Sequence, residues 1–494
     1  MKVIIAYPPL VGRGSPMLTQ NRQFQWYHEP SYIYPVVSAS AATLLQARGD
    51  RVIWYDGIAE KRTPDDFFRL VREERPDLIV MESKTPVIRQ HWEITRKIKD
   101  IDGDIRTVLV GDHVTALPEE TMESSVTDYV VTGGSYDFTL EKLAACIDGE
   151  TEMPPGVWYR EGEEIKQSGE FCLEEDLTGA PFIDRVLTKA HLYGEKWKRR
   201  TPFFYIMSGR DCPWHRCTFC AWTTLYPTFA VRPVEHVLDE IGFLIAEHGA
   251  REIFDDTGTF PGGAWLDRFC RGMIERGYHK KILFSCNMRF DYLQDPEVPR
   301  LMKRAGFRKV KSGLESANQE TLDRIDKGIT VDQIITGCRN AADAGLDVHL
   351  TVIVGYPWET RSDAMKTLGL ARRLMEDGSA EMLQATVLVP YPGTPLFDLG
   401  VKERLFRVRA DEYERFDMGE PVFKTPDMGP DEVMAIAGGI YRSFLSPRVI
   451  LRNLARIRSF QDVSYILRGA RAVIGHLRDF LTRKPGETKE ERHG

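Results

Sequence analysis

Ser208-Gly-Arg-Asp-Cys-Pro-Trp-His-Arg-Cys-Thr-Phe-Cys-Ala-Trp222 gathers Cys212, Cys217 and Cys220 into nine residues of a 494-residue chain that has only eight cysteines. The spacing is C-x4-C-x2-C, with Gly, Pro and Arg bending the approach and Phe219 directly before the last thiol. Three thiolates this close can hold three corners of a [4Fe-4S] cluster and leave the fourth iron open to a substrate or cofactor. The competing reading is a zinc knuckle with His215 as fourth ligand. Structural zinc usually draws a second ligand pair from further along the chain, and none follows. The loop reads as an iron–sulfur site.

Outward from the loop, the composition is that of an ordinary globular protein, 42% hydrophobic and 28% charged. A net charge of −7 gives no sign of general nucleic-acid binding. No apolar run approaches the ~18 residues of a spanning helix, and Met1–Pro9 reads as a strand, not a leader. The other five cysteines are scattered, which suits a reducing cytosol. The expected location is cytoplasmic.

Residues 1–148 alternate apolar runs (3–7, 52–55, 78–81, 107–110, 129–132) with helical patterns (36–47, 65–74, 88–100, 137–147). This predicts a doubly wound parallel sheet of the flavodoxin-like (Rossmann-like) kind. Ligands in such sheets sit beyond the carboxyl ends of the strands. Glycines and small hydroxyls at those ends would admit a large flat ligand. The candidates there are Tyr7, Pro9, Ser83, Thr85, Gly111, His113, Gly133 and Gly134.

Residues 149–200 read as a hairpin turning at Glu161-Gly162 and a linker, with no chemistry expected. From 201 to 398, six strand patterns (203–207, 252–256, 282–286, 309–313, 349–354, 382–388) alternate with helices. They predict a partial (β/α)6 TIM-like barrel with its site at the C-terminal strand ends. The cysteine loop follows the first of these strands and so opens into that mouth. Residues 399–494 are expected to form a mainly helical region ending in a disordered tail. Residues 442–484 hold ten Lys/Arg against two Asp/Glu, and Arg448, Arg452 and Arg456 fall on one helical face. That face either packs as a solvated surface or meets an anionic membrane.

The cysteine loop, Phe254–Thr257, Asn287–Arg289, Lys311–Ser316, Gly355–Glu359 and Val389–Pro395 stand in order at strand ends. This series resembles the radical S-adenosylmethionine (radical SAM) enzymes. With residues 1–148 it is similar to their cobalamin-binding (B12-binding) class, near the anaerobic magnesium-protoporphyrin monomethyl ester cyclases and hopanoid-biosynthesis enzymes. The resemblance implies that Cys212, Cys217 and Cys220 ligate the cluster and that S-adenosylmethionine chelates the open iron. It further implies that Phe219 lies beside the adenine and that Asp255 and Asp256 meet the methionine amino group. Arg289 would meet the carboxylate, Ser312 and Glu315 the ribose, and Gly355 would pass close to the adenine. The implied chemistry is reductive cleavage to a 5′-deoxyadenosyl radical, followed by cobalamin-assisted methylation, cyclisation or rearrangement. A reductant such as flavodoxin or ferredoxin would be a partner.

Two departures stand out. The family spacing is C-x3-C-x2-C, so this loop carries one extra residue, and the Asp-x-His-x-x-Gly motif of many cobalamin proteins is missing. A cobalamin here would therefore lack a histidine below the cobalt, with His113 shaping the pocket. A tRNA methylthiotransferase would need a second cysteine trio in the N-terminal domain, where only Cys146 stands; a non-catalytic cobalamin or metal sensor would lack the cluster ligands. Cys286 is either a thiol hydrogen donor or a buried small hydrophobe. The aromatic segment Phe24–Tyr34 and the basic apolar C-terminal helices suit a hydrophobic, lipid- or tetrapyrrole-like substrate handled near a membrane.

Overall fold

In the computed structural model, residues 1–475 are described except 20–22, 175, 456, 458–464 and 472. The first apolar run becomes β1 (Lys2–Tyr7), buried because it lies inside a parallel sheet covered on both faces. It pairs with β2 (Arg51–Asp56) on one side and β3 (Leu78–Ser83) on the other. Then come β4 (Arg106–Gly111) and β5 (Tyr129–Val131), all parallel. The order 2-1-3-4-5 is the flavodoxin-like one. Helices α1 (Val36–Arg48) and α4 (Tyr136–Ile147) pack on one face; α2 (Pro64–Glu74) and α3 (Ile88–Ile101) cover the other. The hairpin β6 (Val157–Glu161) and β7 (Glu164–Gln167) turns at Gly162 and joins β5 antiparallel, extending the sheet to seven strands.

The second sheet is built from β8 (Phe203–Ile206), β9 (Glu252–Asp255), β10 (Leu283–Asn287), β11 (Phe307–Glu315), β12 (Asp347–Val354) and β13 (Met382–Val387). Each strand pairs in parallel with the next in sequence order. Among the described residues no ladder joins β8 to β13, so the barrel stays open along one side. Helices α5 (Val234–His248), α6 (Gly263–Glu275), α7 (Glu297–Arg304), α8 (Val331–Asp343) and α9 (Arg361–Asp377) form the outer layer. Capping boxes at Thr330 with Gln333 and at Thr360 with Asp363 start α8 and α9 where the sequence places polar residues before the apolar pattern.

After the barrel, residues 403–429 are largely irregular and reach back to the first domain. Tyr413 donates to Glu120 at 2.7 Å and Arg89 pairs with Glu414 at 3.2 Å. Helix α10 (Pro430–Tyr441) then crosses β13, where the Tyr441 hydroxyl meets both backbone groups of Ala385, and α11 (Pro447–Ala455) follows. No helix among the described residues is long and apolar enough to cross a membrane.

The two sheets are locked by buried polar contacts. Arg210, just past β8, forms an ion pair with Asp137 of α4 at 2.7 Å, both buried. Beside it, Gly134 donates its amide to Leu225 and accepts from the Tyr226 hydroxyl at 2.9 Å. Removing one partner of a buried pair leaves an uncompensated charge, which costs about 3–5 kcal/mol. Asp137→Ala is therefore expected to lower the melting temperature sharply, and the double substitution Asp137→Leu with Arg210→Met to recover most of the loss. Calorimetry on the three variants checks this.

Candidate functional site

The cysteine loop leaves β8 through a two-residue antiparallel ladder, Gly209–Arg210 against Ala230–Val231, which fixes both ends of the excursion. Asp211 and His215 adopt left-handed backbone, φ 71° and 50°, so the chain folds back on itself between Cys212 and Cys217. Trp214 anchors the extra length. Its indole donates to the Asp326 carbonyl at 2.6 Å, and Arg289 and Arg216 lie 4.5 and 5.1 Å from its ring centre. The ring rests on Gly328, where an added Cβ would come within 1.9 Å of it. His215 turns its Nδ1 to the Asp211 carboxylate, and among the described residues no three His, Cys, Asp or Glu side chains converge on one metal ion. A four-iron cluster takes one thiolate per iron, so it needs thiols around a shared space and not around a single point.

Such a space exists. Cys212, Cys217 and Cys220 are free thiols, partly buried, on the wall of one cavity of about 380 Å³. Cys212 Sγ donates to Thr259 Oγ1 at 3.1 Å, and burial pushes the Cys217 thiol up to about 11 and raises that of Cys220 as well. From the loop the cavity runs along the inner wall of β11, β12 and β13 and is closed laterally by Met17, by residues 23–33 and by Lys84 and Asp112 of the first domain.

Of the residues expected to meet S-adenosylmethionine, Phe219, Arg289 and Glu315 line this cavity. Glu315, in left-handed backbone at φ 57°, pairs with Lys327 at 2.9 Å. Burial opposes the Lys327 charge, but Glu315 and Cys217 outweigh it and raise its pKa. Arg289 donates to the Lys327 carbonyl at 3.0 Å and to Asp291, so Arg289, Glu315 and Lys327 act as one unit beside the thiols. The other four do not line it. Asp255 caps the start of the loop, accepting from the Ser208 and Thr257 amides at 2.9 and 3.0 Å; burial raises its carboxyl to about 6. Asp256 is fully buried and off the cavity wall, and Ser312 turns to the Met288 carbonyl. Gly355 (φ 91°) binds Glu359 through its amide at 2.7 Å and backs onto Val433.

The first-domain expectations shift by one residue. Ser83 and Thr85 face inward: Ser83 meets His91 at 3.0 Å and Thr85 meets His113 Nδ1 at 3.2 Å. The residue between them, Lys84, pairs with Asp112 at 2.8 Å on the cavity wall. His113 packs edge-on to Tyr413 at 4.7 Å, and burial lowers it to about 3, so it is neutral and away from the cavity. Tyr7 shares a buried network with Glu82, Ser38 and Tyr136, and burial raises Glu82 to about 7. Pro9 covers Gly57, Gly111 abuts the Ser83 carbonyl, and Gly133 and Gly134 lie under the Phe171 and Tyr226 rings. None of these eight lines the cavity. The linker, expected to be inert, contributes Glu195, Lys196 and Trp197 to the wall, whereas Cys286 is buried in the core and does not.

Residues 206–371 match the radical SAM superfamily and residues 30–138 the B12 binding domain. The chain carries a radical SAM domain behind a B12-binding domain. It is 27% identical over 451 residues to an uncharacterized methyltransferase of Pyrococcus horikoshii, covering 90% of this chain and 93% of that one. It is 26% identical over 431 residues to the anaerobic magnesium-protoporphyrin IX monomethyl ester cyclase of Rubrivivax gelatinosus, covering 85% and 75%. In fold it resembles the radical SAM methyltransferase TsrM from Kitasatospora setae with cobalamin and [4Fe-4S] cluster bound. There the TM-score is 0.68 at 16% identity, over 98% of this chain and 100% of that one. The cofactors of this radical SAM enzyme are accordingly a [4Fe-4S] cluster, S-adenosylmethionine and cobalamin. The donor set fits: three soft thiols on one wall, an acid–base–guanidinium unit beside them, and the ends of the B12-domain strands across the same cavity.

The Trp214 anchor makes a test of the widened loop. Gly328→Ala adds a Cβ in backbone at φ 65° and must displace the indole, at about 1–3 kcal/mol of overpacking. Iron bound per chain after anaerobic reconstitution is expected to fall in this variant while its far-ultraviolet dichroism stays that of the wild type.

Proposed function

We propose that this radical SAM enzyme modifies an unactivated carbon of an apolar small molecule, by methyl transfer or by oxidative cyclisation, inside the cavity between its two sheets. What carries the reading is that one cavity is lined both by the three cysteines and by the Lys84–Asp112 pair of the B12 domain. In this reading Cys212, Cys217 and Cys220 hold the cluster; Arg289, Glu315 with Lys327, and Phe219 hold S-adenosylmethionine. Bound together, the cofactors supply one-electron carbon–sulfur cleavage and a methyl or electron carrier. The chain's own residues position and shield. Arg289, fixed by Trp214 and Asp291, presents a guanidinium to a carboxylate, and the Glu315–Lys327 pair offers an acceptor and a donor in surroundings that strengthen both. Met17, Ile33, Leu383, Tyr391 and Met418 give the cavity an apolar lining that excludes water from the reacting carbon. A small electron-transfer protein of the flavodoxin or ferredoxin type supplies the electron.

Anaerobic protein reconstituted with iron, sulfide and hydroxocobalamin, given reductant and S-adenosylmethionine, is expected to release 5′-deoxyadenosine. S-Adenosylhomocysteine beside it marks methyl transfer. Cys217→Ala should lose cluster absorbance and both products together. Neither product from fully loaded wild type would sink the reading.

A second part of the proposal concerns a membrane surface. Exposed large apolar side chains gather near the C-terminal end of the described chain: Leu445, Ile450, Leu451 and Leu454 around α11, then Leu467 and Ile474. Arg442, Arg448 and Arg471 are exposed among them. Arg452 instead caps the end of α9, donating to the Met375 carbonyl at 2.7 Å, and Arg456 and the 484–494 tail lie outside the described residues. An apolar face edged with arginine fits an anionic bilayer. Flotation with phosphatidylglycerol-containing vesicles, but not with phosphatidylcholine alone, is expected, and Leu451→Ser with Leu454→Ser should release the protein. Failure to float with either lipid rejects the contact.

A further inference from the structure

Of the described residues that line the cavity, Glu29 alone is exposed, so the cavity reaches the surface beside it. Lys196 of the linker, which donates to the Glu29 carbonyl, lines the same end. Across this mouth lies a helical stretch, residues 465–471 and 473–475. Positions 465, 469 and 473 fall on one side of it and 467, 471 and 474 on the other. The first side faces inward. The Tyr465 ring meets Trp197 edge-on at 6.3 Å, and a Cβ on Gly469 would come within 2.8 Å of the same indole. Val473 is 6% exposed and lines the cavity, and a Cβ on Gly475 would stand 3.2 Å from that of Glu29. The second side faces out, with Leu467 57% and Ile474 52% exposed and Arg471 between them. Their surface continues into the apolar face of α11, because Phe444 stacks on Trp197 at 6.4 Å and Leu445 beside it is exposed. One helix thus separates the cavity from an apolar, arginine-edged surface.

We infer that residues 465–475 are a lid on the cavity, and that docking of its outer side on an anionic bilayer opens the mouth at Glu29 to an apolar substrate dissolved in that bilayer. The inference rests on the proposed membrane contact and adds the source of the substrate, a molecule that partitions into lipid. A surface can shift such a lid only by contacting its two positions differently. In the closed position Val473 is buried while Leu467 and Ile474 stay in water. On the bilayer Leu467 and Ile474 leave water together and Arg471 meets the anionic headgroups, which offsets the contact that Val473 gives up.

The test uses full-length reconstituted protein carrying Glu29→Cys and Gly475→Cys, positions whose Cβ atoms abut when the helix is seated. The probe is dibromobimane, which fluoresces once it has bridged two neighbouring thiols, and each single substitution gives the background. Bridging is expected to be fast in the free protein and with phosphatidylcholine vesicles. On phosphatidylglycerol-containing vesicles it should slow about tenfold, as it does when the closed fraction falls from nearly all to roughly a tenth. Adding Leu467→Ser and Ile474→Ser should restore the fast rate. Pyrene carried in the vesicles should be recovered on the unbridged protein after release by salt, and not on the bridged protein. No bridging in the free protein, or equal pyrene uptake by bridged and unbridged protein, overturns the inference. Flotation is measured on the same samples. Binding to the vesicles with an unchanged bridging rate removes the lid and leaves the membrane contact, and absence of binding removes both.

Discussion

The six parallel strands of the second sheet leave their barrel open. The eight-stranded barrel seals its own interior with layers of side chains, whereas here no ladder joins β8 to β13 among the described residues, and the inner wall is open on one side. That opening must be covered, or Ile353, Leu383 and their neighbours would face water. The cover is supplied by Met17 and residues 23–33, by Glu195–Trp197 of the linker, by Tyr441 of α10 and by Lys84 and Asp112 at two strand ends of the first domain. The reaction space is thus an interface between domains, which is what brings a B12-type sheet within reach of a cysteine loop.

An interface that must hold two large cofactors in register cannot slide, and buried charge pins it. Asp137–Arg210 places carboxylate and guanidinium together across it under near-complete burial, and Glu240 with Arg185 ties the linker to the barrel in the same way. Such pairs add little net stability, but a misplaced partner is costly, so they penalise every alternative docking. Tyr193 works in the same way, bridging the linker to Asp56 of β2 at 2.7 Å. The cysteine loop uses an aromatic version of this principle. Its extra residue becomes a left-handed turn at His215, and Trp214 is captured between arginines and Gly328 on the turn that also bears Lys327. Loop geometry and the Arg289–Glu315–Lys327 unit therefore depend on one another.

What periodicity can reveal, it revealed here. The five apolar runs of the first domain and the six of the second became parallel strands, and the order 2-1-3-4-5 followed from helices alternating between faces. Cys212, Cys217 and Cys220 could be singled out from their spacing and Phe219, Arg289 and Glu315 from the family resemblance, and all six line the cavity. Residues inside or beside strands were less legible. Ser83, Lys84 and Thr85 alternate sides, and choosing the small hydroxyls selected the core-facing pair over the lysine that lines the cavity. Gly133 and Gly134 carry no mark that Phe171 and Tyr226 would cover them.

The sequence by itself determined the fold class of both sheets, the cysteine loop and its unusual spacing, because these are local properties of pattern and donor chemistry. Only the tertiary structure decided which side chains share the cavity. Lys327, Thr259, Lys84, His349, Gln384 and the linker's Trp197 come from six separate segments of the chain. Their meeting depends on strand register, on left-handed turns at Asp211, His215 and Glu315, and on the docking of one domain over the open side of the other. No short-range rule encodes those relations, since each is fixed by packing between residues distant in sequence.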